Sequence, residues 1–270
     1  MDNEKIKQIL LDIQNSKLEF TVIQTGKDSK RVNGLYKPDT HEILLHNKNF
    51  KTDNQLIYTA VHEYTHHLIT EEILAVSGSN APLNAKVHNQ AFWAKFNELI
   101  KTAEKKGYYV IGIENSPELE KLTEEIRKNY LEKNGNLMQE FGRLLAKAHE
   151  LCEQANIRYE DYVDRVLCLP RNSARDIAKL GIVPVNPALG FDNMKLVAGI
   201  RKPEDRNTAE QQLMNGTSPV SVREMMRRNN TLSRTDDPKA KLEKEKSRLE
   251  KTIAQLQQRL EYVEDALGNI

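Results

Sequence analysis

Several familiar signals are scarce in this chain. Two cysteines, Cys152 and Cys168, in 270 residues are too few for a disulfide framework. No stretch approaches the ~18–20 consecutive apolar residues of a membrane-spanning helix. The opening Met1-Asp2-Asn3-Glu4-Lys5 lacks the charged-then-apolar pattern and small-residue cleavage site of an export signal. These absences set the expectation of a cytoplasmic protein with no membrane partner. Charge of one sign is lacking too: 40 Lys and Arg stand against 39 Asp and Glu, a net charge of +1. The chain as a whole therefore does not attract nucleic acid, and any such binding must come from a local patch. No internal repeat of solenoid length is present. With 39% hydrophobic and 29% charged residues, it reads as polar, mainly helical and long enough for two domains.

What is present is concentrated at His62-Glu63-Tyr64-Thr65-His66, an H-E-x-x-H string. On a helix, residues four apart share a face, so His62 and His66 can aim two imidazole nitrogens at one point. Glu63 can reach a water held there. Two nitrogen ligands, a polarised water and a carboxylate base are what zinc-dependent peptide hydrolysis requires. The context supports a helix. Thr52 and Asp53 are good N-cap residues, and Leu56, Ile57, Ala60, Val61, Tyr64 and Leu68 recur at helical spacing behind them. The plain alternative is a pair of surface histidines on an amphipathic helix.

A catalytic zinc site needs a third protein ligand. The nearby donors are His67, Glu71, Glu72, His88 and Glu98. His67 follows His66 directly and points about 100° away around the helix, which suits a packing role. Glu71 and Glu72 lie too far along the same helix. Ser77 to Pro82 reads as a loop. A second helix follows from about Asn84, with Phe92, Trp93, Phe96, Leu99 and Ile100 at helical spacing. That helix turns back and can bring His88, in its first turns, beside His62 and His66, with Glu98 as the alternative.

Upstream, Ile6, Ile9, Leu10 and Ile13 mark a helical face, and Phe20-Thr21-Val22-Ile23 is β-prone. Asn33-Gly34-Leu35-Tyr36 and Glu42-Ile43-Leu44-Leu45-His46 flank turn residues and predict a hairpin. His41 and His46, in or beside it, read as surface histidines. The motif, the loop, and His88-Asn89-Gln90-Ala91-Phe92-Trp93 together resemble the SprT-like (Spartan-like) metallopeptidase family over about residues 15 to 112. The family's Gly-Pro after the third histidine is replaced by Asn89-Gln90. The resemblance implies a small zincin-like domain, with His62, His66 and His88 as zinc ligands and Glu63 as base. It also implies a hairpin strand that pairs with an extended protein substrate.

Beyond residue 115 the character changes. Ser116-Pro117-Glu118 is a helix start, and the spacing predicts a charged helix to about Glu132, ended by Lys133-Asn134-Gly135-Asn136. A domain boundary is expected between Asn115 and Asn136. Met138 to Gln154 predicts an amphipathic helix with Phe141, Leu144, Leu145, Ala148 and Leu151 on its face, and Tyr159 to Leu167 a second. A short turn at Leu169-Pro170-Arg171 and a helix that opens with Asn172-Ser173-Ala174-Arg175 suit a helix-turn-helix. A helix around Glu204 to Met214, a turn at Asn215-Gly216-Thr217 and a helix from Ser218 repeat the idea. This region resembles ParB-type and phage-associated helix-turn-helix modules, which implies DNA contact. Candidate contacts are Arg165, Arg171, Ser173, Arg175, Lys179, Arg223, Arg227 and Arg228. The alternative is a generic helical domain with solvated arginines.

Thr231 to Pro238 reads as a linker. From Lys239, Leu242, Leu249, Ile253, Leu256, Leu260, Val263 and Leu267 alternate in steps of three and four, a coiled-coil seam for a homodimer or a partner protein. The expected fold class is α+β. A zincin-like domain (1–115) is followed by a linker helix (116–136), a helical domain (137–230), a linker (231–238) and a coiled coil (239–270). The expected activity is Zn²⁺-dependent proteolysis directed at DNA-associated proteins. The rivals are a regulatory peptidase of the ImmA kind that cleaves a repressor, and a non-enzymatic DNA-binding dimer.

Overall fold

The computed structural model describes residues 1–77, 88–232 and 238–268. Contacts divide the chain into two compact units, Met1–Met226 and Arg227–Ile270.

The first unit begins with α1 (Asn3–Ile13), capped by the Asp2 carboxylate, which accepts from the Lys5 amide at 2.7 Å. Strands β1 (Thr21–Gln24), β2 (Gly34–Lys37) and β3 (Glu42–Leu45) form a sheet in the order β1-β3-β2. β1 runs parallel to β3, and β2 pairs antiparallel with it as the expected hairpin, with Lys37 opposite Glu42. The Lys37 ammonium and Glu42 carboxylate meet at 2.8 Å across its mouth.

Helix α2 (Asp53–Ser77) packs on this sheet and α3 (Gln90–Lys105) packs on α2. Thr52 caps α2 by accepting the Gln55 amide. The apolar periodicity of α2 buries Ile57, Ala60, Val61, Tyr64 and Leu68 against α1, the sheet, Phe92 and Phe96. Burial of each large side chain stabilises by about 1.5–3 kcal/mol. The central α2 residues are thus held between the sheet and α3.

The second predicted helix starts later than its pattern suggested. α3 opens at Gln90 because the Asn89 side chain accepts the Phe92 amide at 2.9 Å and caps it. His88 therefore precedes the helix. Ser77 is still helical, and the rest of the expected loop, with Asn84, lies outside the described residues. His41 and His46 are half-buried, because their Nδ1 atoms bond the Tyr36 hydroxyl (3.1 Å) and the Thr25 hydroxyl (2.9 Å).

Beyond Ser116, which caps α4 (Pro117–Ile126) as expected, the helix does not end at residues 133–136. It passes through a π-type stretch (Arg127–Glu132) into α5 (Lys133–Gln154). Gly135 is buried inside α5, where a Cβ would collide with the Pro187 carbonyl. It serves a close backbone approach, not a helix stop. The buried face of α5 also departs from expectation. Leu145 and Cys152 point inward, whereas Leu144 and Leu151 are exposed. The inner face is set by the crossing with α7 (Arg171–Ile182), where Gly142 and Gly181 meet backbone to backbone. A short helical segment from α6 (Tyr159–Asp161) to Val166 precedes α7, as predicted. Helices α8 (Phe191–Ala198) and α9 (Pro203–Met214) follow. Then α10 (Pro219–Leu232) takes in Thr231, so the expected linker is shorter than its sequence suggested. Residues 233–237 of that linker lie outside the described residues. Cys152 and Cys168 are both free thiols.

The second unit consists of the end of α10 and α11 (Pro238–Gly268). On α11, Leu249, Ile253, Leu256, Leu260 and Val263 are all exposed. Among the described residues, no helix is long and apolar enough to cross a membrane.

Candidate active site

His62, Glu63 and His66 lie in the middle of α2, where packing on both sides removes conformational freedom. Two neighbouring threonines are buried without polar cost, since Thr65 donates to the Val61 carbonyl (2.7 Å) and Thr70 to the His66 carbonyl (2.9 Å). His88 arrives from the segment before α3. Its Nε2 lies 3.0 Å from that of His62 and 3.1 Å from that of His66. Nitrogens bound to one tetrahedral zinc ion at 2.0–2.1 Å would lie about 3.3 Å apart, so the spacing fits a shared ion.

The charge state fits as well. Burial, with the neighbouring imidazoles, holds His62 down to about 4 and His66 down to about 3. Both are neutral at pH 7 and present lone pairs to the common point. Phe92 packs against all three rings, with centroids 5.0, 4.4 and 4.7 Å from His62, His66 and His88. It is wholly buried. The aromatic four residues after His88 therefore fixes the imidazoles and keeps water from behind them. Among the described residues, these three histidines are the one group of metal-ligating side chains close enough to share an ion. Glu71 is taken up by the Ser16 hydroxyl (2.5 Å) and the Lys17 amide (3.0 Å), and Glu72 by Lys95 (3.2 Å). Glu98 is exposed and lies outside the cluster.

Glu63 is 7% exposed, and burial pushes its carboxyl up to about 7 against the lowering effect of a hydrogen bond from the Tyr36 backbone amide. A carboxyl that titrates near neutrality can both take and return a proton. It faces a cleft of about 760 Å³ lined by residues 32–40, Tyr58, Thr59, His62, Glu63, His66 and His88. β2, one of the two edge strands of the sheet, forms one wall.

Two contributors escaped the reading of the sequence. A Cβ on Gly34 would lie 2.8 Å from Thr59 Cγ2 and 3.0 Å from a Glu63 carboxylate oxygen. Only glycine lets β2 approach α2 this closely, and a glycine inside a β-prone run was the available signal. Tyr36 donates its amide to Glu63 and carries its hydroxyl inward to His67 Nδ1 at 3.3 Å. His67 is wholly buried, with Nε2 2.9 Å from the Ser16 hydroxyl. It is a packing residue, as its direction around the helix implied. Tyr64 is also buried away from the cleft, and its hydroxyl donates to the Gln14 carbonyl at 2.6 Å.

The candidate DNA contacts are placed differently. Arg171, Ser173, Arg175 and Lys179 are exposed on α7. Arg171 is engaged by Asp164 (Nε to Oδ2, 2.6 Å), and Arg175 donates to the Asn172 side chain at 3.1 Å. Arg165 pairs with Asp161 at 3.7 Å. Arg223 is exposed on α10, and Arg227 and Arg228 belong to the second unit.

No protein-family model matches the chain, and no curated protein or solved structure does either. The functional reading therefore stands on the site. His62, Glu63 and His66 at this spacing, with His88 closing the cluster, form the arrangement of an HExxH-type zinc metalloendopeptidase.

Proposed function

We propose that the chain cleaves peptide bonds with a zinc ion held by His62, His66 and His88, and with Glu63 as general base. The carrying observation is the convergence of three imidazole nitrogens, those of buried His66 and half-buried His62 neutral, beside a buried carboxyl that titrates near neutrality. Bound there, zinc supplies Lewis acidity towards water and the peptide carbonyl. Glu63 accepts the proton of the attacking water and delivers it to the leaving amine. The Tyr36 amide holds the Glu63 carboxylate in place, and β2 offers an extended substrate a strand to pair with.

The finer reading is a SprT-like enzyme of the cytoplasm that acts on DNA-associated proteins. In support, Ser173, Arg175 and Lys179 are exposed on one helix of an all-helical region. The exposed apolar residues of α11 support a coiled coil that joins two copies or docks a partner.

The test is zinc stoichiometry by elemental analysis together with cleavage. We expect one zinc per chain, lost in His88→Ala. Glu63→Gln should keep the zinc while its kcat falls by about 10²–10⁴-fold. Cleavage by Glu63→Gln at the wild-type rate, or a wild type that takes up no zinc, would overturn the proposal.

A further inference from the structure

The metal cleft continues into a second hollow of about 350 Å³ that shares Asn33, Tyr58 and Thr59 with it. Its lining is half carboxamide, with Asn33, Asn49, Asn54 and Gln55, and the other half is Phe50, Tyr58, Thr59 and Tyr109. Most of their capacity is already used. Asn49 accepts from the Ser29 amide (2.9 Å) and donates to the Ser29 carbonyl (2.7 Å) and to Asn33 Oδ1 (2.8 Å). Asn54 exchanges both bonds with the Val110 backbone at 2.6 and 3.0 Å. Gln55 Oε1 accepts the Lys51 amide at 2.8 Å. What remains includes the amide N–H groups of Asn33 and Gln55, which are donors, and the hydroxyls of Tyr58, Thr59 and Tyr109, which can donate to a carboxylate.

The rim has the matching sign. Residues 25–33 are tied to residues 47–49 by Asn49 and by the Asn47 side chain, which accepts the Gly26 amide at 2.8 Å. These segments, which bring Asn33 and Asn49 to the hollow, carry Lys27, Lys30, Arg31, Lys48 and Lys51, all exposed. Among the described residues none of the five is in an ion pair, whereas Lys7, Lys37, Lys95 and Lys106 each hold a carboxylate. Asp28 is the sole acid in residues 25–33 and 46–52, and from α3 Glu104 acts on Tyr109 in the lining, a single carboxylate against five cations. Asp53, next along the chain, faces the N-terminal amino group at 4.0 Å.

The geometry points to a substrate class: polypeptides with a run of Asp and Glu on one side of the scissile bond. This rests on the peptidase reading. The acidic flank lies in the carboxamide-lined hollow and along the cationic rim, while the bond to be cut lies at the histidines. Continuity with the cleft and its edge strand favours the flank of the chain being cut over a separate polyanion. Unpaired cations at a rim act through long-range attraction, so the preference is salt-dependent.

The test uses the full chain loaded with zinc and two peptide libraries with the same randomised core. One carries Asp and Glu in the flanks, and the other carries Asn and Gln. We expect kcat/KM on the order of tenfold higher for the acidic set at low salt, with the ratio shrinking as salt is raised. The triple change Arg31→Glu, Lys48→Glu, Lys51→Glu should erase the ratio. Lys121→Glu, Arg127→Glu and Lys128→Glu together, an equal charge change on the exposed helix beyond Ser116, should leave it. A second readout is anisotropy of labelled acidic peptide on the Glu63→Gln protein. If peptides are cut without charge preference, this inference falls and the peptidase reading stands. If none is cut but acidic peptide binds and the triple change abolishes binding, the peptidase reading falls and the surface stands. A DNA duplex that binds these cations more tightly than acidic peptide would overturn the inference in favour of nucleic acid.

Discussion

The cleft on α2 and the basic face of α7 hold comparable numbers of chemically capable side chains, yet they differ in kind. In the cleft, Glu63 and His66 are nearly inaccessible, and their ordinary protonation is altered by burial. On α7, the basic residues are exposed, and Arg171 and Arg175 are each occupied by a local partner. Placing an ionisable group inside a protein costs free energy that the fold must offset, so a buried cluster calls for a functional explanation. An exposed arginine costs almost nothing and serves solubility equally well. The cleft therefore carries the argument about function, and α7 carries a question.

The sharpest way to break this contrast lies at Gly34. In Gly34→Ala the new methyl must push β2 off α2, since it would stand 2.8 Å from Thr59 and 3.0 Å from Glu63. Activity should fall by about 10²-fold through misplacement of Glu63. Stability should fall by about 1–3 kcal/mol, as denaturant titration would measure. Wild-type turnover in this variant would mean that the close approach of β2 is irrelevant to the base.

A smaller effect should follow pH. Burial lowers His62 to about 4, His66 to about 3 and His67 to about 4, all below the usual value of 6.5. Through these three histidines the unfolded chain binds more protons than the folded one below pH 6.5, which outweighs the single opposing proton that buried Glu63 holds. Stability from these groups is fully present above that pH and is lost as pH falls towards 4. The melting temperature of the metal-free protein should fall across that window. His67→Gln should flatten the slope.

The smallest effect is expected on α7. Arg175→Ala should change stability by no more than about 0.5 kcal/mol, as for other exposed positions. If α7 meets DNA, the same change should weaken binding by a few-fold and reduce its salt dependence. Unaltered DNA affinity, read by anisotropy on a labelled duplex, would leave α7 a solvated surface.

Local signals in the sequence were strong where one element decides the outcome. The Thr52 cap and the spacing of Leu56 to Leu68 define α2, and the i, i+4 histidines on it follow from helix geometry alone. The hairpin was legible from its turn residues, and α4 from Ser116 and Pro117. Signals failed where two distant segments decide. Gly135 looks like a helix stop in one dimension and is a contact point for Pro187 in three. Leu144 and Leu151 have helical periodicity, but the Gly142–Gly181 crossing turned the inner face of α5 towards Leu145 and Cys152.

By itself, the sequence determined the pair of histidines on one face of α2, the carboxylate between them and the identities of most elements, because those depend on interactions a few residues long. Tertiary structure decided the rest. It brought His88 within 3.1 Å of both other imidazoles and set Phe92 behind them. It also pressed Gly34 and the Tyr36 amide onto Glu63 and joined a carboxamide-lined hollow to the cleft. Burial, and with it the shift of Glu63 to about 7, belongs to no single segment. It arises only when sheet, α2 and α3 close together and exclude water from one small volume.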